Sequence, residues 1–183
     1  MLSPSKHKNT CLFFVFVSNS KSKLILSPYL SKKKSMRAVI QRVSSASVTI
    51  DGQITASINQ GLVVLLGITH TDTRKNAEAL AHKIAGLRIF SDSEGKMNLS
   101  VHDINGSLLI VSNFTLYANS SKGFRPNFME AAKPDHAEPL YNYFVEYIRS
   151  HSSTDIQTGV FGAMMDVSLV NDGPVTIILE SDS

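Results

Sequence analysis

Two short polar segments of this 183-residue chain are its best candidates for chemistry. Ser112-Asn113-Phe114-Thr115 follows an aliphatic run directly, where strand amides lose their ladder partners and become available to a ligand. Asn171-Asp172-Gly173-Pro174-Val175-Thr176 interrupts a second apolar region with a Gly-Pro step. Each segment also has a plainer reading. A Ser-Asn pair after a strand commonly satisfies its own backbone in a turn, and Asx-Gly-Pro is commonly a bend. The usual catalytic constellations are missing. There is no Gly-x-x-x-x-Gly-Lys phosphate loop, no Gly-x-Ser-x-Gly elbow and no Gly-x-Gly-x-x-Gly. His70, His82, His102, His136 and His151 are scattered, without metal-ligand pairing at i, i+3 or i+4. A single cysteine, Cys11, excludes an internal disulfide framework and a Cys-based zinc site. No metal and no cofactor is expected.

The elements that must position these segments follow from hydrophobic period. Val48 and Ile50 alternate with Thr49 up to Asp51-Gly52, and Ile54, Ala56 and Ile58 resume the alternation beyond it, which predicts a hairpin. Leu62 to Ile68 reads as a strand buried on both faces. Ala77, Leu80, Ala81 and Ile84 then recur at helical spacing, with Asp72 or Thr73 available as N-cap. Leu87 to Phe90 reads as a short strand, Asp92 to Gly95 as a turn, and Ser107 to Val111 as a second buried strand. A loop with Lys122, Gly123, Arg125 and Pro126 precedes a helix marked by Ala137, Leu140, Tyr141, Phe144, Val145 and Ile148. Pro134 suits the first helical turn; Pro139 costs a backbone bond unless it too lies near the start. Met165 to Val170 and Val175 to Leu179 read as two strands separated by a break at 171–174. The expectation is one mixed α/β domain, strand-rich, with two principal helices packed on a curved sheet.

Charge divides the chain unevenly. The total is 18 Lys+Arg against 15 Asp+Glu, a net +3. Residues 1–35 hold seven of the lysines and no acidic residue, so the extension is +7 and residues 36–183 are −4. The basic, Ser/Lys-rich extension reads either as a targeting peptide or as the product of an upstream start codon, with Met36 opening the domain. Its apolar run, Cys11 to Val17, is too short to span a bilayer, and no membrane association is expected. A cytoplasmic location is expected for the domain, with import into a mitochondrion or chloroplast as the alternative. Contact with a polyanion has to use local cations, with Lys96, Lys122, Arg125 and Lys133 as candidates.

In their order along the chain, the two polar segments and their framework resemble the D-aminoacyl-tRNA deacylases, also called D-tyrosyl-tRNA deacylases. The likeness runs from Met36 to Glu180 through Arg37-Ala-Val-Ile-Gln-Arg-Val43, Gly61-Leu-Val-Val-Leu-Leu-Gly67, Leu87-Arg-Ile-Phe-Ser-Asp92, Gly95-Lys-Met-Asn-Leu99 and Arg125-Pro126. The family's signature motifs appear as Ser112-Asn-Phe-Thr-Leu116 and Asn171-Asp-Gly-Pro-Val-Thr176. The resemblance implies a homodimer, with its active site at the subunit interface, that hydrolyses the ester between tRNA and a D-amino acid or glycine. It assigns catalysis to Ser112, Asn113, Phe114 and Thr115, and substrate binding to Gly173, Pro174, Arg42 and Asn171. It further implies a cis Gly173-Pro174 peptide reaching into the partner's pocket, an Arg42 that locks its orientation, and activation by the tRNA's terminal 2′-hydroxyl. Backbone N–H groups around Phe114 and Thr115 are the natural oxyanion donors for such a reaction.

Two departures from the family pattern stand out. Asn113 replaces the usual Gln and is shorter by about 1.5 Å, one C–C bond. Val160 replaces a residue that is basic in many relatives. A second reading, a nucleic-acid-binding or regulatory dimer without hydrolysis, takes its support from Asn113 and from the acidic domain.

Overall fold

A computed structural model describes residues 35–181. The basic extension therefore lies outside the described residues, apart from Ser35. The organising element is the long strand β1 (Arg37–Ile50), which has three strand partners. Its first half pairs antiparallel with β3 (Gly61–Gly67) and its second half with β2 (Gln53–Ile58). Along its other edge runs β8 (Asp166–Glu180), from Arg37 opposite Glu180 to Thr49 opposite Asp166. Asp51 and Gly52 close the β1–β2 hairpin with φ of 49° and 76°, as the Asp-Gly signal predicts.

Beyond β3 the sheet becomes parallel. β3 pairs with β6 (Ser107–Ser112), and β6 pairs with β7 (Asp155–Thr158). The first crossover contains α1 (Arg74–Ala85) and the short antiparallel pair β4 (Phe90–Ser91) and β5 (Met97–Leu99). The second contains α2 (Pro134–His151). Both helices put their apolar stripes into one core: Leu80 and Ile84 from α1 and Phe144 and Ile148 from α2 meet Ile40, Leu62, Leu66 and Ile110 of the sheet. A smaller core of Val43, Val48, Ile58, Val63, Leu109 and Val111 fills the opposite face. The expected fold class is the one observed.

Two local expectations are corrected, and the open question of Pro139 is resolved. The two C-terminal strands are one, because unbroken β1 pairs with both halves of β8. What the sequence presents as a break is a bulge. Gln41 faces Thr176 and Val43 faces Asn171, so residues 172–175 stand opposite Arg42 alone. The strand expected at Leu87–Phe90 is confined to Phe90–Ser91. Leu87 still donates to the carbonyl of Ile84 as α1 unwinds, and the Ile89 carbonyl is taken by Arg42 Nη1 at 2.5 Å. Pro134 opens α2 as expected, but Pro139 sits inside the helix. Pro139 is exposed, so the backbone bond it cannot make is lost where water can replace it.

Candidate active site

Parallel β6 delivers the first motif to the end of the sheet. Ser112 pairs with Leu66 of β3, and Asn113 N–H continues the ladder by donating to the Leu66 carbonyl at 2.8 Å. Tyr141 of α2 ties down the same strand by donating its hydroxyl to the Ile110 carbonyl at 2.8 Å. Burial pushes the Tyr141 phenol up to about 12, so this donor stays protonated across the physiological range. The chain then winds into a single 3₁₀ turn, Phe114–Tyr117.

Asn113 caps that turn. Its Oδ1 accepts the Thr115 N–H at 3.1 Å and also the Thr115 hydroxyl. The plainer reading of Ser-Asn therefore describes the Asn113 side chain: it is engaged with its own backbone rather than directed at a ligand. This corrects the expected pair of oxyanion donors. Asn113 and Thr115 amides are both taken, which leaves the Phe114 N–H without an acceptor among the described residues. Thr115 Oγ is likewise committed as a donor, an arrangement unlike that of a nucleophile beside a base.

A cavity of about 520 Å³ opens beside this turn. Ser112, Asn113 and Phe114 line it, whereas Thr115 does not. Leu66 and Ile68 form its floor, and Phe161, Met164 and Met165 form an apolar side. Phe114 and Phe128 meet edge to face at the lining, with centroids 5.2 Å apart and planes at 73°. Lys133, just before α2, supplies the one charged side chain of the lining among the described residues. Phe128 and the Phe161–Met165 stretch are functional candidates that the sequence reading missed. They lie in irregular loops, where neither helical nor strand period marks them.

The second motif is a separate structure. The Gly173–Pro174 peptide is cis, and both residues are exposed at the crest of the bulge. Asn171 braces the bulge from below: its Oδ1 accepts the Val175 N–H at 2.9 Å, and its Nδ2 donates to Thr176 Oγ1 at 3.1 Å. Arg42, only 8% exposed, braces it from β1. Its guanidinium lies 6.0 Å from the centroid of the Phe90 ring and holds the Ile89 carbonyl through Nη1, while Nε is 2.9 Å from Asp172 Oδ2. The Asp172 carboxylate is off the axis of that N–H, so the contact is ionic rather than a hydrogen bond. Gly173 has φ of 117°, and a Cβ there would come within 3.1 Å of Arg42 Nη2 and 2.8 Å of Val175 Cγ2. Arg42, Asn171, Gly173 and Pro174 thus form one constellation, but none of them lines the cavity beside Phe114. Of the candidate cations, Lys122 and Arg125 are exposed in the 118–129 loop, Lys133 lines the cavity, and Lys96 pairs with Glu94 at 2.6 Å. Val160 is 51% exposed and lies outside the cavity lining.

The fold built around β1 has counterparts among solved structures. One, described as c-Myc DNA Unwinding Element Binding Protein, is 45% identical and covers 80% of this chain and 99% of its own, with a TM-score of 0.77. Another, described as a probable eukaryotic D-amino acid tRNA deacylase, shares the fold at 15% identity and a TM-score of 0.69, with the same coverage. The family model for D-Tyr-tRNA(Tyr) deacylase matches residues 39–180. Proteins named D-aminoacyl-tRNA deacylase from Bacillus thuringiensis (strain Al Hakam) and Bacillus anthracis (strain A0248) are each 59% identical over 146 residues, covering 80% of this chain and 99% of their own. The chain belongs to the D-Tyr-tRNA(Tyr) deacylase family.

Proposed function

We propose that this protein hydrolyses the ester linking a D-amino acid to the terminal ribose of tRNA, releasing the free amino acid and tRNA. The observation that carries the reading is that both halves of the site present backbone rather than side-chain chemistry. An aminoacyl ester is already activated. Its hydrolysis needs a positioned water and a donor for the tetrahedral oxyanion, a role open to the Phe114 N–H. Water adds to the acyl carbon, the C–O bond to the ribose breaks, and the departing ribose oxygen takes up a proton. The adjacent 2′-hydroxyl of the substrate supplies the activating group, a reading supported by a lining that shows no carboxylate or imidazole among the described residues.

The working enzyme is a homodimer in this proposal. Gly173 and Pro174 stand exposed on a strand with one neighbour and outside their own chain's cavity lining, so a second copy is needed to bring them to a pocket. Val170 and Ile178, 58% and 66% exposed on the same strand, provide apolar surface for that contact. The Gly-Pro carbonyls then hold the substrate's α-ammonium, and the rigid bulge close to Cα leaves no room for an L side chain. Rejection by collision discriminates more strongly than the loss of one contact. Glycine has no side chain to collide, so glycyl-tRNA, including glycine mischarged on tRNA-Ala, is a second substrate. The protein acts as a chiral proofreader in translation, in the cytoplasm, or in a mitochondrion or chloroplast if the extension directs import.

The 45% identical structure named for DNA binding favours a second reading, a nucleic-acid-binding dimer without hydrolysis. One assay separates the two. Purified protein incubated with D-tyrosyl-tRNA and L-tyrosyl-tRNA is expected to accelerate ester loss from the D form alone. Acceleration of neither supports the binder, and equal acceleration of both removes the proofreading role.

A further inference from the structure

The least expected charge in the fold is Asp72, two residues before α1 and 2% exposed. Its Oδ2 accepts the Thr69 N–H at 2.7 Å, while Oδ1 is buried without a hydrogen-bond partner. A carboxylate placed in this way is strongly unfavourable unless a cation faces it. The groups around it are few. From β1's approach the Met36 backbone amide faces the carboxyl, and from α2 His136 acts on it electrostatically. The His136 ring is directed elsewhere, with Nε2 3.0 Å from the Asp72 carbonyl oxygen. Tyr117 lies close enough for its phenol to feel the aspartate charge, and Arg37 beside it is committed to Glu180. Burial outweighs the two amides, so the Asp72 carboxyl is held above its usual range.

The neighbourhood is completed by the chain itself. Met36 is fully buried, and the Ser35 carbonyl, attached to the Met36 nitrogen, accepts the Tyr117 hydroxyl at 2.5 Å. We infer that Asp72 is the built counter-ion for a free α-ammonium at Met36, so that the working form of the protein begins there. An ammonium at that nitrogen carries one positive charge and three donors, whereas the peptide amide carries no charge and one donor. The carboxylate receives one donor. The Tyr117 hydroxyl, which can accept as readily as it donates, receives another once the Ser35 carbonyl is gone. Such a terminus arises by initiation at the Met36 codon. It also arises by endoproteolytic hydrolysis of the Ser35–Met36 peptide, where water supplies the hydroxyl of the new Ser35 carboxyl and a proton of the new amine.

The test begins with the full reading frame, tagged at its C-terminus and expressed in the source cells. Amine labelling and mass spectrometry of the recovered protein are expected to find Met36 as the free first residue. Met1, any other first residue, or a blocked Met36 overturns the inference. The second measurement is the melting temperature of Asp72→Asn in that recovered form and in a full-length form verified to start at Met1. With an ammonium opposite, the folded pKa of Asp72 falls below its unfolded value. The pair's stability is then complete at neutral pH and disappears as pH drops through the folded pKa. Asp72→Asn is expected to melt at least about 5 °C lower at pH 7 in the Met36 form, with the gap held down to about pH 4 and closing only below it. In the Met1 form the Met36 nitrogen is an uncharged amide, so the substitution is expected to leave the melting temperature unchanged or raise it. Equal losses in both forms overturn the inference as surely as the wrong terminus.

Discussion

Arg42→Ala is expected to lower kcat/KM for D-tyrosyl-tRNA by about 100-fold while leaving the circular dichroism spectrum unchanged. The reasoning starts from register. Four residues of β8 stand against Arg42 alone, so no ladder of backbone bonds fixes the crest of the bulge on that side. The guanidinium takes the ladder's place, reaching the Ile89 carbonyl, the Asp172 carboxylate and the vicinity of Gly173 at once. Alanine leaves Asn171 as the only brace, and a displacement of about 1 Å at a reacting centre costs about 10²-fold. The stability loss is smaller, on the order of 1–2 kcal/mol, because Asp172 is half in water and its pairing is screened. Arg42→Lys is expected to recover little, since an ammonium cannot serve two directions of the planar fork. If Arg42→Ala keeps a third or more of the activity, the bulge holds its own shape and Arg42 is only packing.

Gly61→Ala is expected to be the most disruptive single methyl in the domain. A Cβ at Gly61 would lie 1.9 Å from the backbone oxygen of Ser107 and 2.8 Å from its carbonyl carbon and nitrogen. No rotamer relieves that contact, because the partner is main chain. β3 and β6 pair along six residue positions from this point, so the strands have to separate. Overpacking a core costs typically 1–3 kcal/mol; a collision with backbone exceeds that and is expected to lower the melting temperature by roughly 6–12 °C or to prevent folding. Thermal unfolding followed by circular dichroism reads the result. A midpoint within 2 °C of the parent protein means that the strands approach less closely than described. The far end of β6 carries Ser112, so surviving Gly61→Ala protein should also be a poor enzyme.

The regular elements were legible because their signals are local. Asp51-Gly52 needs two positive φ values, and the 3.6-residue recurrence from Ala77 to Ile84 has no competing explanation. What escaped the sequence was set by partners distant along the chain. The break at 171–174 becomes a bulge only because β1 runs past both sides of it. The strand at Leu87–Phe90 shortens because a side chain 47 residues earlier claims the Ile89 carbonyl. The candidate site was legible as two motifs, through resemblance rather than through chemistry that side chains announce. Reach alone does not describe Asn113, whose Oδ1 accepts from Thr115. An Asn two residues before an available N–H and hydroxyl caps them, and that signal was present in Asn113-Phe114-Thr115. The apolar lining from Phe161 to Met165 carried no signal, because irregular segments have no period to read.

The composition of the cavity sets a rule for how the reaction responds to acidity. Among the described residues its lining contains one lysine and no aspartate, glutamate, histidine, cysteine or tyrosine. Among ordinary side chains only histidine and cysteine have unperturbed pKa values between pH 5 and 9, so the described lining has no protonation switch of its own in that interval. A plot of log kcat against pH should therefore lack the bell shape of paired acid–base catalysis and follow the attacking oxygen instead. If D esters are preferred over L esters by space, as proposed, that preference should stay constant along the whole plot. In the proposed reaction the ionisation left to act on binding is that of the substrate's own α-ammonium, which D and L esters share.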